Sequence, residues 1–443
     1  MTATQPILLR GGAVIDGTGT PPHPADVLLE PDRIVAVGPE AAAAATPETV
    51  VLDVAGLTVL PGLIDAHCHI TFGEPASNDE LFFHRDPSTA ALVAAFDVQK
   101  LLRAGVTGFL DADCIFEVGP ALRDAIAAGL VEGPRMVSGM NALLTAAGGT
   151  AGKLIPDEGR VGYAHVVGDR DEMVRVTRQQ IKRGADWVKI HVTGSLPNRR
   201  GERTVWTLDE LRAVTETAHA LDTPTVAHCR NAESTRLAAE AGVDLVLHAS
   251  FLDDAAVAAL VEAGTAVAPT FTFLANLADH GHRVGAMTTQ VDLFRGEIAA
   301  TAEKLRTAHD AGVPLLCGSE SGFSLTPYGH WHARELEVFV EALGLSPLEA
   351  ISCATRNGAL ALREPLDSIG VIAPDAAADV LVVDGDPSAD VTVLADRRRL
   401  RHVFSRGAPV DLDRPWPQRS PLPGEKVGLW SAQPLTWDLV HGE

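Results

Sequence analysis

Two imidazoles one residue apart, His67 and His69, close the apolar run Thr58-Val-Leu-Pro-Gly-Leu-Ile-Asp-Ala-His-Cys-His-Ile70. On a strand, side chains at i and i+2 share a face, so both rings point one way and Cys68 points the other. Two neutral imidazoles so placed can ligate one borderline metal such as zinc. The alternative for a bare His-x-His is a pair of surface or capping histidines. Further groups of the right chemistry recur along the chain. Lys189 lies in Asp186-Trp-Val-Lys-Ile-His-Val192, an apolar strand where an ammonium without a partner is costly. His228 ends Thr225-Val-Ala-His-Cys229, His248 ends Asp244-Leu-Val-Leu-His248, and Glu320 follows Leu315-Leu-Cys-Gly-Ser319. Each alone has a plain structural reading: a lysine paired or facing solvent, a histidine hydrogen-bonded at a strand end. Together, in this order, they point to a metal centre.

These residues need a scaffold that brings many strand ends to one place. Apolar strand candidates fall at 58–69, 106–111, 135–139, 186–192, 224–229, 243–248, 265–270 and 313–319, with amphipathic helices between most of them, among them Ser88–Ala104, Leu208–Leu221, Asn231–Ala241 and Asp253–Ala263. Glycine stops recur before strands, in Arg103-Ala-Gly-Val, Glu240-Ala-Gly-Val, Glu262-Ala-Gly-Thr and Asp310-Ala-Gly-Val. Eight strands in βα alternation predict a (β/α)₈ barrel with its chemistry at the C-terminal strand ends; a doubly wound sheet would also alternate. Residues 7–53 hold short strand-like pieces (Ile7–Arg10, Ala13–Ile15, Asp26–Leu29, Ile34–Val37, Val50–Leu52), and strands return at 378–383 and 400–405. Neither end can bury a core alone. We therefore expect one small β-sandwich built from residues 1–57 and 365–443, the latter with a tail, interrupted by a catalytic barrel at 58–364.

Composition narrows the partners. The 443 residues carry 36 basic and 58 acidic side chains, a net charge of −22, which repels phosphate backbones and anionic membranes. Neither nucleic acid nor membrane is therefore an expected partner; a small-molecule substrate and assembly into a homo-oligomer are. The start has no charged and apolar leader, no run reaches membrane-spanning length, and five irregularly spaced cysteines give no disulfide framework. A cytoplasmic protein is expected.

With these residues in hand, the chain resembles the amidohydrolase superfamily, metal-dependent hydrolases built on a (β/α)₈ barrel. The likeness spans almost the whole chain and includes the opening Leu60-Pro-Gly-Leu-Ile-Asp-Ala-His67 and the closing Ala378-Asp-Val-Leu-Val-Val-Asp-Gly-Asp-Pro387. It is greatest to the branch of Xaa-Pro and Xaa-Arg dipeptidases, imidazolonepropionase-like proteins and herbicide-degrading amide and carbamate hydrolases. The resemblance implies that His67 and His69 bind a buried metal, that His228 and His248 bind an exposed one, and that a carboxylated Lys189 bridges them. The cofactor it implies is a divalent ion, zinc before others, with two per chain favoured over one.

The sequence departs from that pattern in places. The family ends strand eight with Gly-Thr-Asp, whose aspartate binds metal and takes the proton of the attacking water; here Gly318-Ser319-Glu320 stands in its place, within a matching Ser321-Gly-Phe-Ser-Leu-Thr-Pro-Tyr-Gly329. Glutamate keeps the carboxylate and adds one methylene, which matters in a site needing placement to about half an ångström. In order of preference, the base is retained with altered geometry, one metal is favoured, or hydrolysis is lost. Thr150 replaces a histidine that related dipeptidases often carry near the substrate. Arg230 could clamp a substrate carboxylate or hold a loop by a salt bridge, and the loop 197–203 offers more cations at the mouth or is simply solvated. His191 shares the face of Lys189 and could line the pocket, and His330 follows strand eight near the mouth. Cys68, Cys229 and Cys317 read as small buried hydrophobes.

The expected function is metal-dependent hydrolysis of a carbon–nitrogen bond in a small amide, carbamate, urea or dipeptide-like molecule, with Glu320 as general base. A deaminase of the same superfamily is the alternative; it would have a glutamate three residues after His228, where Asn231 stands. A non-catalytic metal- or ligand-binding relative is the third reading.

Overall fold

The structure, a computed structural model, describes residues 5–77, 80–81, 85–149, 155, 162–194, 202–286, 291–423, 425 and 430–442. The apolar runs of the middle of the chain form parallel strands buried on both faces, as strands covered by helices must be. Leu63–Cys68 pairs with Val106–Asp111, and that strand with Arg135–Ser138. Val188–His191, Thr225–Cys229, Leu245–His248 and Ala266–Ala268 follow in parallel, with His191 opposite His228 and Cys229 opposite His248. The segment 315–321 closes the ring: Leu316 N–H donates to Val267 O at 2.8 Å, and Glu320 N–H donates to His67 O at 2.7 Å. The eight strands therefore form the barrel anticipated from their alternation. Its register sets the ligand-bearing strand ends at one level.

The third barrel strand differs from a single run at 135–139. It breaks after Ser138, where Met140 takes φ 57°, and resumes as Ala142–Thr145. The first half pairs with strand two, and the second meets strand four through Leu143 and Ile190. Helix starts follow local chemistry. Thr207 and Glu210 form a capping box ahead of Leu208–His219, and Asn231 and Asp253 cap the next two helices. The run expected as one helix at 88–104 is two, Pro87–Asp97 and Gln99–Arg103. Among the described residues no helix is long and apolar enough to cross a membrane.

Strands from both ends of the chain join in one further sheet. Ile7–Val14 pairs with His23–Glu30, Val50–Asp53 and Thr58–Pro61, and Thr58–Pro61 pairs with Val380–Val383, which pairs with Leu400–Ser405. Leu9, Val27, Leu29, Val59, Val380 and Phe404 meet in its apolar core. Gly11-Gly12 does not divide the first strand; it forms a bulge, with Gly11 at φ 82°. The chain passes from this sheet to the barrel at Gly62, where a Cβ would lie 2.0 Å from Thr107 Oγ1, so residues 58–61 belong to the sheet by hydrogen bonding. After the last strand the chain returns to the barrel mouth: Leu435 N–H donates to Ser324 O at 2.8 Å, and Leu435 is fully buried.

Candidate functional site

Two first-strand histidines are fixed through the same ring atom. His67 Nδ1 lies 2.9 Å from Thr270 Oγ1, and His69 Nδ1 lies 2.6 Å from Asp113 Oδ1. With Nδ1 engaged, each ring has Nε2 left for a ligand, the arrangement by which outer partners orient metal-binding histidines. A ligand atom each from His67, His248 and Glu320 lie within 4.8 Å of one another. His248 Nε2 is buried and has no hydrogen-bond partner. A buried lone pair without a donor is unusual, and a cation is the partner that chemistry supplies for it.

The backbone is bent to deliver these groups. His248, Thr270 and Glu320 all adopt left-handed φ, at 69°, 59° and 53°. Such strain in non-glycine residues, one of them β-branched, gathers at sites where geometry serves function. Gly318 permits the crowding, since a Cβ there would lie 2.7 Å from His67 Cβ. Asp65 locks strand one to strand eight. Its carboxylate accepts from Ser319 N–H at 3.0 Å and His67 N–H at 3.1 Å, and lies 2.6 Å from His332 Nδ1.

Burial sets the protonation of the centre. It holds the His67 and His248 imidazoles well below their ordinary value, so both are neutral and able to ligate. Burial also pushes the Glu320 carboxyl up, against the pull of His69, Arg230, His228 and Lys189. That direction suits a general base. Burial lowers the Lys189 amine, against Asp113 and Glu320.

Asp113 is the charged hub on the other side of Lys189. Its Oδ2 lies 3.8 Å from Lys189 Nζ and 2.8 Å from His191 Nε2. Burial alone would raise this carboxyl, but Lys189 and His69 hold it well below the usual range. The neighbouring Asp111 goes the other way, pushed well up by burial and by Asp113. His191, lowered to about 4 chiefly by burial, thus joins the centre through Asp113. His228 stands 4.5 Å from His248, ring to ring, with its Nε2 2.9 Å from Glu202 Oε2. Glu202 also accepts from Thr193 Oγ1 at 2.6 Å; burial would raise its carboxyl, but His228 brings it down to about 2.

The structure thus gathers His67, His69, Lys189, His191, His228, His248 and Glu320. Arg230 lies beside this cluster, 3.9 Å from Glu202, with a partner of its own. The Arg230 guanidinium donates through Nη2 to both Glu297 oxygens, at 2.7 and 2.9 Å, so this edge holds a structural ion pair instead of facing a substrate carboxylate. The ring of His330 lies 5.6 Å from that of Trp416, and its Nδ1 accepts from Trp437 N–H at 3.3 Å. Thr150 and residues 197–201 of the cationic loop lie outside the described residues. Cys68, Cys229 and Cys317 are buried, their thiols pushed up by burial. Sequence reasoning passed over Asp65, Asp113 and Glu202. The signal for the first two was present, as carboxylates inside the apolar strand ends Ile64-Asp-Ala-His67 and Asp111-Ala-Asp113.

Three groups therefore bring ligand atoms together, His67, His248 and Glu320, with His69, His228 and Lys189 around them. They fit a divalent ion, and they could hold it next to a carboxylate able to move a proton. The profile of the amidohydrolase family matches residues 58–410. A solved prolidase in complex with N-methylphosphonate-L-proline is 28% identical, superposes with a TM-score of 0.78, and covers 91% of this chain and 99% of its own. A Xaa-Pro dipeptidase structure with methionine in its active site is 26% identical, with a TM-score of 0.75 over 91% of this chain and 99% of that one. Ochratoxinase of Aspergillus niger is 26% identical over 430 residues, 90% of this chain and 85% of the enzyme.

Proposed function

Since the chain belongs to the amidohydrolase family and is a hydrolase of carbon–nitrogen bonds, we propose that His67, His69, His228, His248 and a carboxylated Lys189 would hold its divalent metal, two ions being favoured, and that Glu320 is the general base. The observation that carries this reading is the buried, unpartnered His248 Nε2 beside His67 and Glu320. The atoms of His67, His248 and Glu320 that lie within 4.8 Å of one another support one ion; a second would need His228, whose Nε2 lies 2.9 Å from Glu202 Oε2, to exchange that partner for metal. A divalent ion in this place supplies Lewis acidity and a lowered pKa for water. Glu320 then accepts the proton of the attacking water and returns it to the leaving nitrogen. His67 stays a neutral ligand, and Thr270 and Asp113 orient the rings of His67 and His69.

The substrate is a small amide, carbamate, urea or dipeptide-like molecule. The names of the prolidase and ochratoxinase relatives support that range. Deamination is disfavoured by the position three residues after His228, where Asn231 stands and its Oδ1 accepts from Ser234 N–H at 2.8 Å as a helix cap. The test pairs metal content with turnover. Protein purified with zinc and bicarbonate should carry two ions per chain, hydrolyse a member of an N-acyl amino acid, dipeptide, carbamate and phenylurea panel, and lose that activity in Glu320→Gln. Bound metal with no turnover across the panel would favour the non-catalytic relative.

A further inference from the structure

Aromatic rings surround the histidine cluster on one side, and one of them comes from the far end of the chain. Phe72 stacks on His69, with centroids 4.3 Å apart and planes 2° apart. Phe323 packs edge-on to both, 5.8 Å from His69 and 5.4 Å from Phe72. Phe273 lies 5.7 Å and Trp430 6.1 Å from Phe323. Phe72 is buried, whereas Phe323, Phe273 and Trp430 are only half-buried. Phe323, half-buried beside the buried His69 and flanked by Phe273 and Trp430, leaves apolar surface that a bound molecule would cover.

Trp430 is held there by construction. Its N–H donates to Ala76 O, in the loop after strand one. Ser431 Oγ donates to Ser324 Oγ at 3.0 Å and Leu435 N–H to Ser324 O at 2.8 Å, in the loop after strand eight. Those two loops are themselves joined, Ser324 N–H donating to Pro75 O at 3.1 Å. Trp331 Nε1 donates to Leu435 O at 2.6 Å, and Leu435 completes an apolar cluster with Leu277, Val284 and Leu325. The loop reaches Phe323 over His69 because Gly322, at φ 136°, has no Cβ; one would lie 2.6 Å from His69 O. The family match ends at residue 410, so Trp430 belongs to a segment beyond it.

We propose that the C-terminal segment at Trp430 forms a wall of the substrate pocket with Phe323 and Phe273, selecting substrates that carry an aromatic or bulky apolar group beside the scissile carbon–nitrogen bond. This rests on the hydrolase site described above. Trp430 is a specificity-determining residue: a large, rigid, half-exposed ring gives offset or edge-on contact to another ring at low entropic cost.

The test uses full-length, zinc-loaded protein and two hydroxamates, which share one metal-binding group and differ in a phenyl arm. Dissociation constants of acetohydroxamate and 3-phenylpropionohydroxamate are measured by titration calorimetry on wild type, Trp430→Ala and Phe323→Ala. The phenyl compound should bind wild type about tenfold more tightly, and each variant should lower that ratio several-fold, on the order expected for lost aromatic contact. A ratio near one in wild type, or an unchanged ratio in Trp430→Ala, overturns the proposal. If acetohydroxamate fails to bind at all, the metal reading fails instead. The wall is then decided by N-acetyl-L-phenylalaninamide against N-acetyl-L-alaninamide: a preference for the phenyl compound that falls in Trp430→Ala supports it, and equal binding overturns it.

Discussion

Asp113 Oδ1 stands 2.6 Å from Nδ1 of His69, while its other oxygen stands 2.8 Å from Nε2 of His191, all three side chains being buried. One carboxylate thereby orients a histidine of strand one and a histidine of strand four. Asp113→Asn keeps the volume and removes the charge. We expect a 10–100-fold loss of zinc affinity, the range for removing an outer partner of a metal-binding histidine, read by competition with a chelator. Unchanged affinity would show that His69 needs no such partner.

His67→Ala and His69→Ala should each strip metal and abolish turnover while the fold persists. The barrel interior is filled by side chains such as Leu110, Val226, Leu247 and Leu316, which form a core of their own. Circular dichroism and metal analysis on the same samples separate the two effects. A variant that keeps wild-type metal and activity would refute the ligand assignment.

Glu320→Gln should reduce turnover about 10²–10⁴-fold, the usual cost of losing a general base. Glu320→Asp decides whether the site has adapted around the longer side chain. Lower activity means adaptation; higher activity means that the extra methylene is a burden.

Lys189 should carry a carboxyl group in protein prepared with metal and bicarbonate. Burial, which lowers its amine, favours the neutral form that reacts with carbon dioxide. Electron density ending at a bare amine would count against the bridge.

Glu425 gives the ion pairs of the C-terminal segment a pH dependence. It lies 2.7 Å from Arg85 and 2.9 Å from Arg419. Burial raises its carboxyl, yet Arg419, Leu422 N–H and Arg85 bring it from an ordinary 4.5 to about 2. The native state therefore binds fewer protons than the unfolded state between these values, so the contribution is full above about 4.5 and is lost as pH falls towards 2. Thermal unfolding of wild type and Glu425→Gln across this window should converge at the acid end.

Much of the scaffold was legible because its signals are local. Alternation of apolar runs with glycine-stopped helices gave eight strands, and the two-residue period of a strand placed His67 and His69 on one face. His228 and His248 were legible for the same reason, as strand ends in a barrel whose register brings strand ends together. The breaks at Gly62 and Met140 were not. They depend on what the backbone meets, Thr107 in one case and the neighbours of strand three on both sides in the other.

The sequence by itself determined which residues could bind metal and that parallel strands would carry them, with a barrel and a doubly wound sheet both open until the family resemblance was drawn. Both conclusions follow from side-chain chemistry and from periodicities that act within a few residues. Only the tertiary structure decided the partners. Asp113 rather than solvent meets His69 and Lys189; Glu297 claims one edge of Arg230; Trp416 and Trp437 meet His330; and Trp430 returns to the mouth. Each of these pairings joins segments remote in the chain. Partner choice there is set by the paths of loops and by which buried charge must be neutralised, and neither leaves a period in the sequence.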